Sequence, residues 1–265
     1  MLDQLLNTGF LGLIQGLAEW LPISSTAHLK IAEHYLGLTT TPLFNLILHL
    51  GTLIVVVFYF RTEVKNILSA LAHADFKSEY GKMIPLIIAA TIPTAMIGLL
   101  YVKYLEDVPG QLLIIGITFI IGATLVYTSK LGKENTENIT YPIAVIMGIA
   151  QGLAIFPGLS RSGATISIAL LVGLKREKAF KFSFLLSIPA ILGDTLVEAY
   201  KDSGQIATSG IGSTELLVGV VIAMVVGYVA IKLVSKIVAT KKFHYFAFYT
   251  WLLGAALIIL TLTGH

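Results

Sequence analysis

Residues 12–29, GLIQGLAEWLPISSTAHL, constrain this chain more than any other stretch. The run is apolar enough to lie in lipid. Yet it sets Gln15, Glu19, Ser24, Ser25, Thr26 and His28 within fourteen positions, with Pro22 among them. An ionisable cluster at membrane depth is costly unless it lines a cavity, which makes such a cluster a functional candidate. A related stretch recurs at 148–165, GIAQGLAIFPGLSRSGAT. The two are expected to face each other and form one site.

The surroundings support a membrane setting. Of 265 residues 56% are hydrophobic and 12% charged, and the mean hydropathy is +0.85. Soluble domains carry about 25% charged residues. This composition implies an all-α integral membrane protein. The start MLDQLL lacks the basic region of a secretory signal. The absence of cysteine excludes disulfides, thiolate catalysis and Cys-ligated metals. The net charge of +3 is concentrated in a few loops, so it speaks to topology and not to nucleic acid, which is not expected as a partner.

Spanning a bilayer takes about 20 apolar residues. Six segments meet that requirement: 43–60, 83–101, 111–128, 180–199, 215–233 and 244–262. The two motif stretches do not. Each has an apolar part, a Pro-containing polar break and a second short apolar part, at 29–38 and 166–174. Such interrupted pairs in corresponding halves point to re-entrant helix–loop–helix segments at a binding site.

Lysine and arginine placement gives orientation. Segments 61–82, 129–139, 174–181 and 232–242 are rich in these residues, whereas 102–110 and 200–214 hold only Lys103 and Lys201. The positive-inside rule puts the rich loops in the cytoplasm. Both flanks of the second stretch are then inside and those of the first outside, which is an inverted-topology repeat. Sequence similarity agrees: Gln15-Gly16-Leu17-Ala18 matches Gln151-Gly152-Leu153-Ala154, and FNLILHLGT from Phe44 matches FSFLLSIPA from Phe182. The first repeat is placed at 1–133, with its re-entrant segment at 1–38. The second is at 134–265, with its re-entrant segment at 140–174. Each adds three spans, and together they form a single membrane domain. Within 62–80, Val64, Ile67, Leu68 and Leu71 recur at helical spacing among charges, as in a surface helix.

Gln15 and Glu19 are four apart and share a helix face. Pro22 ends or kinks that helix, and Ser24 is placed to cap the next one. Ser25 and His28, three apart, face the same way. A serine beside an imidazole is a minimal nucleophile–base pair. The alternative is that Ser24, Ser25 and Thr26 cap a helix while His28 satisfies a buried polar group. Glu19 favours the catalytic reading, because a lone carboxylate here has no obvious structural use. In the second loop, glycine and serine at a helix start present N–H groups and the positive dipole end to an anion. Arg161 adds a planar fork suited to phosphate. A phosphate-bearing ligand with a lipid tail fits both the charge and the apolar surround. A diphosphate exceeds the positive charge available, so a divalent cation held by Glu19, with Gln15, would supply the difference.

QGLAEWLPISSTAHL together with PGLSRSGATI resembles the undecaprenyl-diphosphate phosphatase family of the bacitracin-resistance type. The resemblance covers the whole chain. It implies removal of the terminal phosphate of a C55 polyprenyl diphosphate on the outer face of the cytoplasmic membrane. That reaction recycles the lipid carrier for cell-wall glycans, confers bacitracin resistance and uses Mg2+ or Ca2+. Catalytic roles fall on Glu19, Ser25, His28 and Arg161. Substrate binding falls on Ser24, Thr26, Ser160, Ser162, Gly163 and Thr165, and metal binding on Glu19 and Gln15. The expected mechanism has Ser25 attack phosphorus with His28 as base; direct attack by a metal-bound water is its rival. Ala27 stands where the family has glycine, and Thr250-Trp251 where it commonly has an arginine after the tyrosine.

His49 and Asp194 lie deep in spans and are read either as paired interior groups or as supports of the site; Glu198 can reach the outer interface. A polyprenyl-phosphate transporter or flippase using the same midplane site is the competing class, since inverted repeats with broken helices also build carriers. Gly12 and Gly16 form a small-xxx-small pair that permits close helix contact, within the chain or in a homodimer.

Overall fold

In lipid every backbone polar group must be satisfied within the protein, so a chain this apolar resolves into helices. The computed structural model describes residues 2–37, 41–105, 112–201 and 212–263. Eleven α-helices occur among them: α1 (Leu2–Trp20), α2 (Ser25–Leu36), α3 (Pro42–Tyr59), α4 (Arg61–Ala72), α5 (Met83–Tyr104), α6 (Leu112–Thr128), α7 (Tyr141–Leu153), α8 (Arg161–Leu171), α9 (Arg176–Lys201), α10 (Ser213–Ala239) and α11 (Phe246–Leu262). The described residues contain no strand, only an isolated bridge between Thr136 and Leu174.

Five of these helices, α5, α6, α9, α10 and α11, are long and apolar enough to cross a membrane, the last including the short turn from Phe243. Helix α3 passes only together with α4, from which it is bent by 83°. All six predicted spans are therefore helical. The bend turns α4 aside, as its charge-punctuated pattern requires. The protein is a multi-pass membrane protein, and the outward leucines of α5, such as Leu99 and Leu100, are the surface lipid would cover. The predicted loops 102–110 and 200–214, and residue 38, lie partly or wholly outside the described residues.

One boundary moves. The linker predicted over 232–242 is helical to Ala239, because Ile231, Val234 and Val238 continue the buried face of α10 past Lys232 and Lys236. The cationic segments meet at one end of the bundle through ion pairs. Lys181 reaches Glu63 at 3.2 Å, Lys178 reaches Glu79 at 3.4 Å, and Arg176 and Lys241 share Glu134 at 2.8 and 3.5 Å.

The two motif stretches are broken helix pairs. Helices α2, α7 and α8 have 12, 13 and 11 residues. At 1.5 Å per residue none can cross a 30 Å core. Longer helices hold them: α1 packs on α10 and α7 on α5, while α6 packs on α11 and α3 on α9. The first two crossings are close because they are glycine contacts. A Cβ on Gly12 would collide with Gly219 O, one on Gly16 would lie 2.6 Å from Ala223 O, and one on Gly148 would collide with Ala90 O. The Gly12–Gly16 pair is thus used inside the chain.

Gly148→Val should force α7 from α5 and cost about 1–3 kcal/mol. The expected result is a lower melting temperature in detergent. Gly193→Ala, whose added Cβ meets nothing within 4 Å, serves as the control that should not lower the melting temperature.

Candidate active site

The breaks after α1 and after α7 meet. Ser24 Oγ accepts from Gly158 N at 3.1 Å, and Ser160 Oγ donates to Leu21 O at 3.3 Å. Gly158 has φ +100°, and Thr118 Oγ1 occupies the place of any Cβ there while donating to Pro157 O. This position admits only glycine. Ser24 sits at the N-cap of α2 with φ +69° but makes no cap bond. The expected capping role is corrected: its hydroxyl serves the opposite loop. Ser160 does cap α8, accepting from Gly163 N at 3.2 Å.

Glu19, in the last turn of α1, is 7% exposed. Its Oε2 accepts from Gln15 Nε2 at 3.0 Å and from Ser25 Oγ at 2.7 Å, and its Oε1 pairs with Arg161 Nη2. The predicted shared face of Gln15 and Glu19 is present. Arg161 opens α8, and its Nη1 is buried without a partner. Gln15 Oε1 is likewise buried and unpartnered. Nucleophile candidate, carboxylate and guanidinium thus form one chain of contacts across the two breaks.

These groups border a cavity of about 340 Å³. Glu19, Ser24, Ser25, Thr26, Ser160 and Arg161 line one part of it. Two groups weighed as interior pairs also line it: His49, whose ring makes no hydrogen bond among the described residues, and Asp194, which is exposed. The sequence reading missed Gln151 and Thr94. Gln151 Nε2 donates to Thr94 Oγ1 at 3.3 Å and approaches Leu186 O at 3.5 Å, and its Oε1 is left buried without a partner. The match of Gln151 to Gln15 in the repeat was the available signal.

Four expected site residues lie elsewhere. The predicted Ser25–His28 pair does not form. His28 Nδ1 bonds to Ser24 O at 2.8 Å, its Nε2 meets Tyr249 OH at 2.7 Å, and its ring packs edge-on against Phe119. Facing α6 and α11, it is off the cavity. Thr165, fully buried, donates to Arg161 O at 2.8 Å and meets Ser183 Oγ at 2.5 Å, tying α8 to α9. Ser162 bonds to Ser160, and Gly163 packs among Ser160, Val126 and Pro22. All three are on the buried side of α8, so they support the loop and do not border the cavity. Near the C-terminus, Thr250 bonds to its own helix and Trp251 Nε1 donates to Thr124 Oγ1 at 3.2 Å.

Comparison with known proteins agrees along the whole chain. The family described as bacitracin resistance protein BacA matches residues 8–256. An undecaprenyl-diphosphatase of Carboxydothermus hydrogenoformans is 41% identical over 259 residues, 96% of each chain. One from Korarchaeum cryptofilum is 38% identical, covering 94% of this chain and 97% of its own. Undecaprenyl-diphosphatase 3 of Bacillus cereus is 38% identical, covering 97% and 98%.

Tyr249→Phe removes the partner of His28 Nε2. It should cost about 1 kcal/mol of stability and leave the pH dependence of turnover in place. A displaced pH profile in the variant would return His28 to the role of base.

Proposed function

The chain belongs to the bacitracin resistance protein BacA family, and on that premise we infer that it is an undecaprenyl-diphosphatase. It is an integral membrane enzyme that hydrolyses undecaprenyl diphosphate to the monophosphate and inorganic phosphate. The observation that carries the reading is the Ser25–Glu19–Arg161 constellation beside a cavity whose wall continues over apolar residues such as Leu99, Val102, Ile155 and Val197. That combination fits an amphiphile with an anionic head.

In the proposed reaction Ser25 Oγ attacks the terminal phosphorus in line. The Oγ–P bond forms as the bridging P–O bond breaks, and undecaprenyl phosphate leaves. The Ser25 proton passes to Glu19 Oε2, the acceptor already in place at 2.7 Å. Glu19 therefore replaces His28 as base. Arg161, whose Nη1 has no partner, and the hydroxyl of Thr26 border the cavity and would hold the charge that develops on the phosphoryl oxygens. Water then cleaves the phosphoserine. Glu19 and the orphaned Gln15 Oε1 are hard oxygen donors of the kind Mg2+ or Ca2+ takes. They would hold the ion with help from the diphosphate, and its charge would offset that of the substrate.

The same reading extends to topology. Exchanging the two halves turns the α1–α10 crossing into α7–α5 and leaves the α6–α11 and α3–α9 contacts as themselves. This supports the inverted repeat, with the boundary near 133 and the broken pairs re-entrant. The cationic segments gathered at one end support a cytoplasmic placement of that end. The cavity runs along α5 away from it, toward the outer face. A carrier role is not favoured: a serine hydrogen-bonded to a buried carboxylate serves catalysis, whereas transport needs only binding groups.

Phosphate release from undecaprenyl diphosphate by purified protein, with Mg2+ or with chelator, tests the proposal. Arg161→Ala should lose about 10²–10³-fold in kcat, and chelation should suppress turnover. Ser25→Ala should be inactive; near-normal turnover there would favour direct attack by water.

A further inference from the structure

The cavity has a second part that the chemistry does not use. Along α5 its wall is Thr91, Thr94, Ala95, Gly98, Leu99 and Val102, positions that recur on one helix face. The α5 side is polar at Thr91 and at Thr94, which Gln151 meets, and becomes apolar over about 16 Å of helix, while the exposed Asp194 lines the α9 side. Leu99 is 61% exposed, so the cavity reaches the surface that faces lipid. Gly193 of α9 lines it as well. A Cβ on Gly98 would meet only Ile155 Cδ1 at 3.9 Å, and one on Gly193 would meet nothing within 4 Å. Neither glycine serves a helix contact, unlike Gly12 or Gly148. Helix interiors disfavour glycine relative to alanine, so packing and propensity give no reason for either. Independently, Gln151, which borders this cavity, is 4% exposed and keeps a buried carbonyl oxygen without a partner. An unsatisfied buried acceptor there marks a space that a polar ligand or water fills.

We propose that Gly98 and Gly193 determine tail specificity: they keep open the channel that takes the head-proximal, methyl-branched part of a polyprenyl chain. The inference rests on the hydrolytic reading above and deepens it. Gly98 lies about 10 Å along α5 from Thr91. A five-carbon prenyl tail, about 5 Å long at ~1.5 Å per bond, reaches that level with its last carbons at most; a C55 tail must pass it. A side chain at 98 or 193 therefore acts on long tails and spares the diphosphate end.

The test compares kcat/KM for undecaprenyl diphosphate and dimethylallyl diphosphate on the full chain in detergent, for wild type, Gly98→Ala, Gly98→Leu and Gly193→Leu. Gly98→Leu should lower the C55-to-C5 ratio about tenfold or more, with Gly98→Ala falling between it and wild type. A ratio that stays at the wild-type value in both leucine variants overturns the inference, whether both rates fall together or neither does. A wild type that releases phosphate from neither lipid overturns the hydrolytic reading instead, and this inference with it.

Discussion

The ion pair between Glu19 and Arg161 is the constraint on which the rest depends. Each charge alone would be costly at membrane depth, and the pair is stabilised by the hydrogen bonds that its lone pairs receive. Gln15 and Ser25 supply two of those bonds to Glu19. The partners come from different broken helices, 142 residues apart. Making the pair therefore brings both breaks to one place, and the loop contacts Gly158–Ser24 and Ser160–Leu21 follow.

Broken backbone in a membrane must be covered by protein, and here the covering is done by helix contacts at glycine. Gly12, Gly16 and Gly148 let α10 approach α1 and α5 approach α7 so closely that the first helix of each broken pair is clamped. His28 and Thr165 belong to this scaffolding. One fastens the start of α2 to α11, the other fastens α8 to α9. The reactive groups consequently sit on rigid elements, and the open volume is confined to the side where α5 and α9 border the cavity.

Much of the fold was legible in advance, and for a simple reason. Lipid demands about 20 consecutive apolar residues and penalises charge, so spans and cationic loops register directly in composition. Gln15, Glu19 and Arg161 were legible on the same ground, because polar groups this deep need a purpose. Ser25 was legible as a candidate nucleophile, but its hydrogen-bond partner was not. Spacing of three put Ser25 and His28 on one face of α2. The imidazole instead turned to Tyr249, 221 residues away, and the carboxylate six residues back took the serine.

The hydroxyls of the second loop show the same limit. Ser160, Ser162 and Thr165 are alike in chemistry, and only the phase of α8 against α9 decides that the first borders the cavity while the others face protein. Gln151, Thr94 and His49 join the site because α7, α5 and α3 happen to converge on it. The sequence by itself determined a helical membrane protein with two polar breaks, the family to which it belongs, and the buried charges that need a purpose. The tertiary structure decided which acceptor takes the Ser25 hydrogen bond and which side chains border the cavity. Those outcomes depend on helix rotation and on partners distant in sequence, which local spacing does not encode.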